Sequence, residues 1–253
     1  PTEAHCGGVT EPPGITCAED ADAFRWSHSG DREPYRLGGN SGQTVCWDVD
    51  NDGDMDLLTS EIVHWDVGSS SDPSELLFND GSGVFSRPGN ETTGLTREHT
   101  LAAWNDGDIT GDAFDFDNDG WPDLWIGSSD YEGARGLLFH QDSPGQFDPV
   151  PIKQGIDHTR AHGSVAADFD RDGDLDFVVG HSRARCDDED EDTDCYKTSQ
   201  VRLFENLSEN HNYIQLELRG GPSTNRAAIG ARVQVTAGGV TQTQEVSGGG
   251  GQW

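Results

Sequence analysis

The sequence predicts an all-β chain whose short strands repeat around an axis, as in a β-propeller. Three observations predict it. An acidic nonapeptide occurs three times, an apolar strand-like run follows each copy, and no helical periodicity interrupts the series.

The nonapeptides are DVDNDGDMD from Asp48 to Asp56, DFDNDGWPD from Asp115 to Asp123 and DFDRDGDLD from Asp168 to Asp176. Each is entered from a short stretch (QTVCW, GDAFD, GSVAA) and left through LLTS, LWIG or FVVG. A second apolar group follows: ELLFNDGSGVF from Glu75, GLLFHQDSPGQF from Gly136 and VRLFENLSEN from Val201. The repeat starts lie 67 and 53 residues apart, so the insertions between strands vary. Gly, Asn and Asp between the apolar runs supply the turns. Residues 1–40 read as a Gly/Pro-rich segment able to contribute strands to a further blade. Residues 41–206 hold the three repeats, and 207–253 begin a separate β region, with 207–224 able to add another blade. Within that last region ARVQVTA and VTQTQEVS alternate in polarity around Gly238 and Gly239, which predicts a hairpin.

In every nonapeptide positions 1, 3, 5 and 9 are aspartate and position 6 is glycine. These are Asp48, Asp50, Asp52, Asp56 with Gly53, then Asp115, Asp117, Asp119, Asp123 with Gly120, then Asp168, Asp170, Asp172, Asp176 with Gly173. Calcium takes about six to eight hard oxygens, which alternate side chains of a tight loop and the carbonyl at position 7 supply. Those carbonyls belong to Asp54, Trp121 and Asp174. The glycine allows the positive φ that turns the chain round an ion. Without a cation, each pair of neighbouring carboxylates costs about 1 kcal/mol even in a watery dielectric. The alternative is an acidic surface turn, but three copies in register, each entering an apolar strand, argue for about three calcium sites. Position 12 is Thr59, Ile126 or Val179 rather than a bidentate glutamate, so the loops join strands and not the helices of an EF-hand. Magnesium, which keeps its waters, fits so many carboxylates less well. The ions read as structural.

Composition narrows the partners. The chain carries 47 acidic and 16 basic residues, a net charge of -31, with only Lys153 and Lys197 as lysines. Such a surface repels nucleic acid and anionic membranes and attracts cations. No run of about eighteen apolar residues offers membrane insertion. Five cysteines suit an oxidising compartment. Cys186 and Cys195 bracket DDEDEDTD, and Cys6 and Cys17 could close a second loop, which leaves Cys46 in TVCW as a small buried hydrophobe. Other pairings, and a cysteine-ligated metal, stay open on sequence alone.

These residues resemble the FG-GAP/VCBS repeats of integrin-type β-propellers over roughly 41–206. NRAAIGARVQVTAGGVTQTQEVSGGGGQ, from Asn225 to Gln252, looks like the opening of the ASPIC/UnbV domain of the cartilage acidic protein family. The resemblance implies a secreted or cell-surface calcium-binding protein with a role in adhesion, matrix or surface assembly. Its ligand would be a protein or glycan that the sequence does not identify. Closed propellers have about four to eight blades, and the chain stops at Trp253 inside the ASPIC/UnbV-like stretch. We therefore expect a piece of a longer protein, or a ring completed by another chain or a missing segment.

The alternative is an extracellular enzyme or sugar-binding protein on the same scaffold. It would use a transition metal at histidines drawn from His64, His99, His158, His162 and His181. No nucleophile elbow, P-loop or HExxH motif supports catalysis, and no catalytic residue is assigned. Trp47, Trp65, Trp104, Trp121, Trp125 and Tyr131 could stack on sugars, although packing between blades explains them more simply. Asn90 and Asn206 stand in glycosylation sequons.

Overall fold

The computed structural model describes residues 40–64, 73–99, 104–186, 194–198, 200–208 and 212–247. The repeats fold as antiparallel blades. The first contains β1 (Asn40–Trp47), β2 (Asp56–His64), β3 (Glu75–Asn79) and β4 (Phe85–Ser86). A single helical turn, α1 (Asn90–Thr93), follows. The second blade is β5 (Asn105–Phe114), β6 (Asp123–Ser128), β7 (Leu137–Ser143) and β8 (Gln146–Pro149). The third contains β9 (Ala161–Ala167), β10 (Asp176–His181) and β11 (Val201–Phe204). β2 pairs with β1 and β3 and, at its far end, with β5, so two blades share one curled eight-stranded sheet.

The strands are where alternation and β-branched or aromatic content place them. β6, DLWIGS, is buried at every position because it lies between two packed layers. On one side Val45, Leu58, Leu76, Leu124, Ile126 and Phe139 form the core between the first and second blades. On the other, Phe114, Trp125, Ala161, Ala166, Phe177 and Val179 join the second to the third. Phe114 and Trp125 both lie 4.9 Å from the Phe177 ring, one stacked and one edge-on. Full burial of each such side chain contributes about 1.5–3 kcal/mol. Gly136 makes this possible: a β-carbon there would stand 2.0 Å from the Trp125 ring.

The predicted C-terminal hairpin is β12 (Arg232–Ala237) and β13 (Val240–Glu245), turned by Gly238 and Gly239 with φ of 60° and 95°. Residues 207–224 differ from expectation. Their described members carry no strand, and Leu207, Tyr213, Ile214, Leu216 and Leu218 are exposed. The apolar positions there have no paired neighbour to turn alternation into a ladder. Cys186 and Cys195 are bonded. The strand alternation that buries Val45 turns its neighbour Cys46 outward, so Cys46 is exposed rather than a core residue. Cys6, Cys17, Trp65 and the strands looked for within residues 1–39 lie outside the described residues.

Candidate functional site

Each acidic nonapeptide connects the first and second strands of its blade. The three loops share one backbone shape. Position 4 is left-handed at Asn51, Asn118 and Arg171, with φ of 57°, 57° and 67°, and position 6 has φ of 101°, 98° and 102° at Gly53, Gly120 and Gly173. Asx turns curl the side chains inward. The N–H of position 5 donates to the carboxylate at position 3: Asp52 to Asp50 at 3.2 Å, Asp119 to Asp117 at 3.3 Å, Asp172 to Asp170 at 3.2 Å. The N–H of position 7 donates likewise to position 5: Asp54 to Asp52 at 2.9 Å, Trp121 to Asp119 at 2.8 Å, Asp174 to Asp172 at 3.0 Å.

Position 9 anchors each loop to its blade. Asp56 accepts the N–H groups of Val49 and Asn79, Asp123 those of Phe116 and Gln141, and Asp176 those of Phe169 and Asn206, all at 2.9–3.0 Å. One carboxylate thus ties the loop's second residue to the third strand (Asn79, Gln141) or to the residue two beyond it (Asn206). The amide side chains there reach back and across. Gln141 Nε2 donates to Pro122 O in its own loop and to Val49 O in the preceding loop, at 2.7 and 2.9 Å. Asn206 Nδ2 donates to Leu175 O and Phe116 O in the same pattern. Asn51 and Asn118 tie loop to loop from the other direction, donating to Gly120 O and Gly173 O.

Side-chain oxygens converge in all three loops, within 4.8 Å of one another: Asp48, Asp50 and Asp56; Asp115, Asp117 and Asp123; Asp168, Asp170 and Asp172. The third loop departs slightly. Its position-1 carboxylate accepts Arg171 N–H at position 4, whereas Asp48 and Asp115 accept the glycine N–H at position 6. Asp176 stays outside the third convergent set. Asp54, Trp121 and Asp174 stand two residues before the second strand of each blade, and Asp174 Oδ1 accepts Asn118 Nδ2 at 2.6 Å, bridging two loops.

Electrostatically the sites call for positive charge. Burial raises the Asp48 and Asp50 carboxyls above the usual range, and the neighbouring Asp52 charge adds to it. Burial, with smaller like-charge contributions, pushes Asp56 to about 7, Asp115 to about 6 and Asp123 to about 9. Among the described residues no lysine or arginine forms an ion pair with Asp48, Asp50, Asp56, Asp115, Asp117 or Asp123. Converging carboxylates, preshaped and without a lysine or arginine ion pair among the described residues, fit a hard divalent ion.

Among the described residues, His99, His158, His162 and His181 do not assemble into one site. His99 pairs with Asp106 at 2.9 Å and stacks on Trp104, and His162 is exposed. His158 and His181 have ring centroids 5.9 Å apart beside Tyr196, and His64 closes β2. Cys186 and Cys195 lie near His181, but as a disulfide they offer no thiolate. Trp125 and Trp47 pack in the core, as packing rather than sugar stacking requires. Asn90 Nδ2 donates to Ser74 O, so both sequon amides are engaged internally.

Sequence reasoning missed His140, next to the second loop, and the amides of Asn79, Gln141 and Asn206. It also missed the C-terminal hairpin's contact with the loops, where Gln242 Nε2 donates to Asp115 Oδ2 at 3.2 Å. Strand register shows why the amides were missed. Leu57, Leu124 and Phe177 pair with Leu77, Phe139 and Phe204, so Asn79, Gln141 and Asn206 are equivalent. Aligning the LF pairs by eye sets the first repeat one residue out.

Comparison with known families finds an FG-GAP-like repeat at 115–179 and an ASPIC and UnbV segment at 221–253. No curated protein matches the chain. FG-GAP repeats are typical of extracellular proteins, and the match together with the all-β blades fits a propeller-like fold. No helix among the described residues is long and apolar enough to cross a membrane.

Proposed function

We propose that this chain, in which an FG-GAP-like repeat precedes an ASPIC/UnbV segment, is a secreted calcium-binding protein of adhesion, matrix or surface assembly. Calcium at Asp48, Asp50, Asp52 and Asp56, and at their counterparts in the other two loops, holds the blades in shape. The observation that carries the reading is the repeated loop itself: three copies with one backbone shape and one Asx-turn pattern, each gathering three carboxylates. The third loop, whose carboxylates are more exposed, is the weakest of the three sites. Calcium modules outside cells bind at about 10⁻⁴–10⁻³ M, so ambient calcium there fills such sites. At tenfold saturation each ion adds about 1.4 kcal/mol, and three add about 4 kcal/mol. For a chain of this size that is a rise of about 8–16 °C in Tm. Elemental analysis after equilibration in millimolar calcium, followed by melts with and without chelator, tests the reading. Retained calcium and a chelator-sensitive Tm support it; an unchanged Tm sinks the structural role. Recovery from the culture medium of the producing cell tests secretion, and calcium-dependent retention on matrix protein or glycan surfaces tests adhesion.

A further inference from the structure

We propose that the lip of the second loop binds a first-row transition ion of the zinc class through His140, Asp117 and Asp119. The site rests on the reading of that loop as a cation site and differs from the calcium positions in donor chemistry. His140 extends from β7 beside the loop. Its Nε2 lies 3.1 Å from Asp117 Oδ2 and 3.8 Å from Asp119 Oδ2, and the three ligand atoms fall within 4.8 Å of one another. Bonds of about 2.0–2.2 Å to a tetrahedral ion set donors about 3.3–3.5 Å apart. The two observed separations bracket that value.

Three further features point to a bound ion rather than to a simple ion pair. Nε2 is buried yet makes no hydrogen bond among the described residues, although Asp117 Oδ2 stands 3.1 Å away, so the pair lacks the alignment of a hydrogen bond. A shared ion does not need that alignment. Behind the ring, Nδ1 faces the exposed Asp142 carboxylate at 3.4 Å, so Nε2 is the ring nitrogen turned toward the loop. The Phe116 ring packs edge-on against the imidazole at 5.6 Å and limits its rotation.

The donor set decides the class of ion. Calcium takes oxygen, whereas imidazole with carboxylates suits zinc and its neighbours in the first transition row. The place is particular to the second repeat: Phe78 and Glu205 occupy the positions equivalent to His140. Asp117 also belongs to the convergent set with Asp115 and Asp123, and Asp119 is the counterpart of Asp52, so the two ions share both carboxylates of the zinc site and are coupled through them.

The test is zinc titration of the calcium-loaded full chain, with metal analysis of both ions and visible absorption of the cobalt form. The expected result is one zinc equivalent retained in millimolar calcium, lost in His140→Phe while calcium stays bound. Asp142→Asn, which keeps all three ligands, leaves that equivalent bound. Zinc held equally by His140→Phe overturns the proposal, and so does a wild-type chain that binds calcium but no zinc. His140-dependent zinc in a chain that binds no calcium supports this site and contradicts the calcium reading alone.

Discussion

Replacing Gln141 with methionine should cost more stability than its single side chain suggests. Gln141 is fully buried, and its amide serves three backbone groups. Nε2 donates to Val49 O in the first loop and Pro122 O in the second, and Oε1 accepts Gly145 N–H at 2.6 Å. Methionine has similar length but no donor or strong acceptor, so two carbonyls and one N–H lose their partner in the interior. A buried group left unsatisfied costs about 1–3 kcal/mol, and carbonyls, with two lone pairs, fall toward the lower end. The sum is about 3–6 kcal/mol, a large part of a total stability of about 5–15 kcal/mol. Urea melts of wild type and Gln141→Met in excess calcium measure it, with an unchanged m-value showing that the folded state is the same. Calcium affinity at the first two loops should fall as well, since this amide joins both. A loss below about 1 kcal/mol at constant m would refute the idea that the amide couples the blades.

Other substitutions probe separate parts of the fold. His158 is buried, and desolvation, helped by Arg202 and His181, lowers its pKa to about 4. Its neutral form is favoured by folding, so the stability it contributes is present above about pH 6.5 and is lost as pH falls toward 4. The loss is about 3 kcal/mol. His158→Leu should remove that part of the acid sensitivity, read as the difference between the two pH–stability curves. Gly136→Ala forces a methyl into the Trp125 ring and should cost about 1–3 kcal/mol or more in a chemical melt. Asp56→Asn turns an amide N–H₂ toward one of two backbone donors, Val49 and Asn79, and removes a ligand charge. It should abolish one calcium equivalent in a binding titration and cost about 1.5–3 kcal/mol.

The loops were legible because their chemistry is local. Four or five aspartates within nine residues around Gly53, Gly120 and Gly173, in register, have few alternatives to a cation, and the hairpin at Gly238 and Gly239 follows from two residues that accept positive φ. What escaped the sequence depends on residues brought together by strand register. His140 stands 21 residues beyond Asp119 and meets it only because β7 pairs with β6 beside the loop. The amides of Gln141 and Asn206 look like ordinary polar strand ends until the preceding blade supplies the carbonyls they bind. Cys46 was misplaced for a related reason. An apolar stretch such as TVCW does not announce which alternate residues face inward, and Val45 took the core position.

The most direct test is a crystallographic anomalous-scattering map of the full chain grown in millimolar calcium. The account predicts an ion in each of the loops that start at Asp48, Asp115 and Asp168, with oxygen ligands at about 2.3–2.6 Å. Loops that keep this backbone shape but show no ion at that calcium concentration would contradict it.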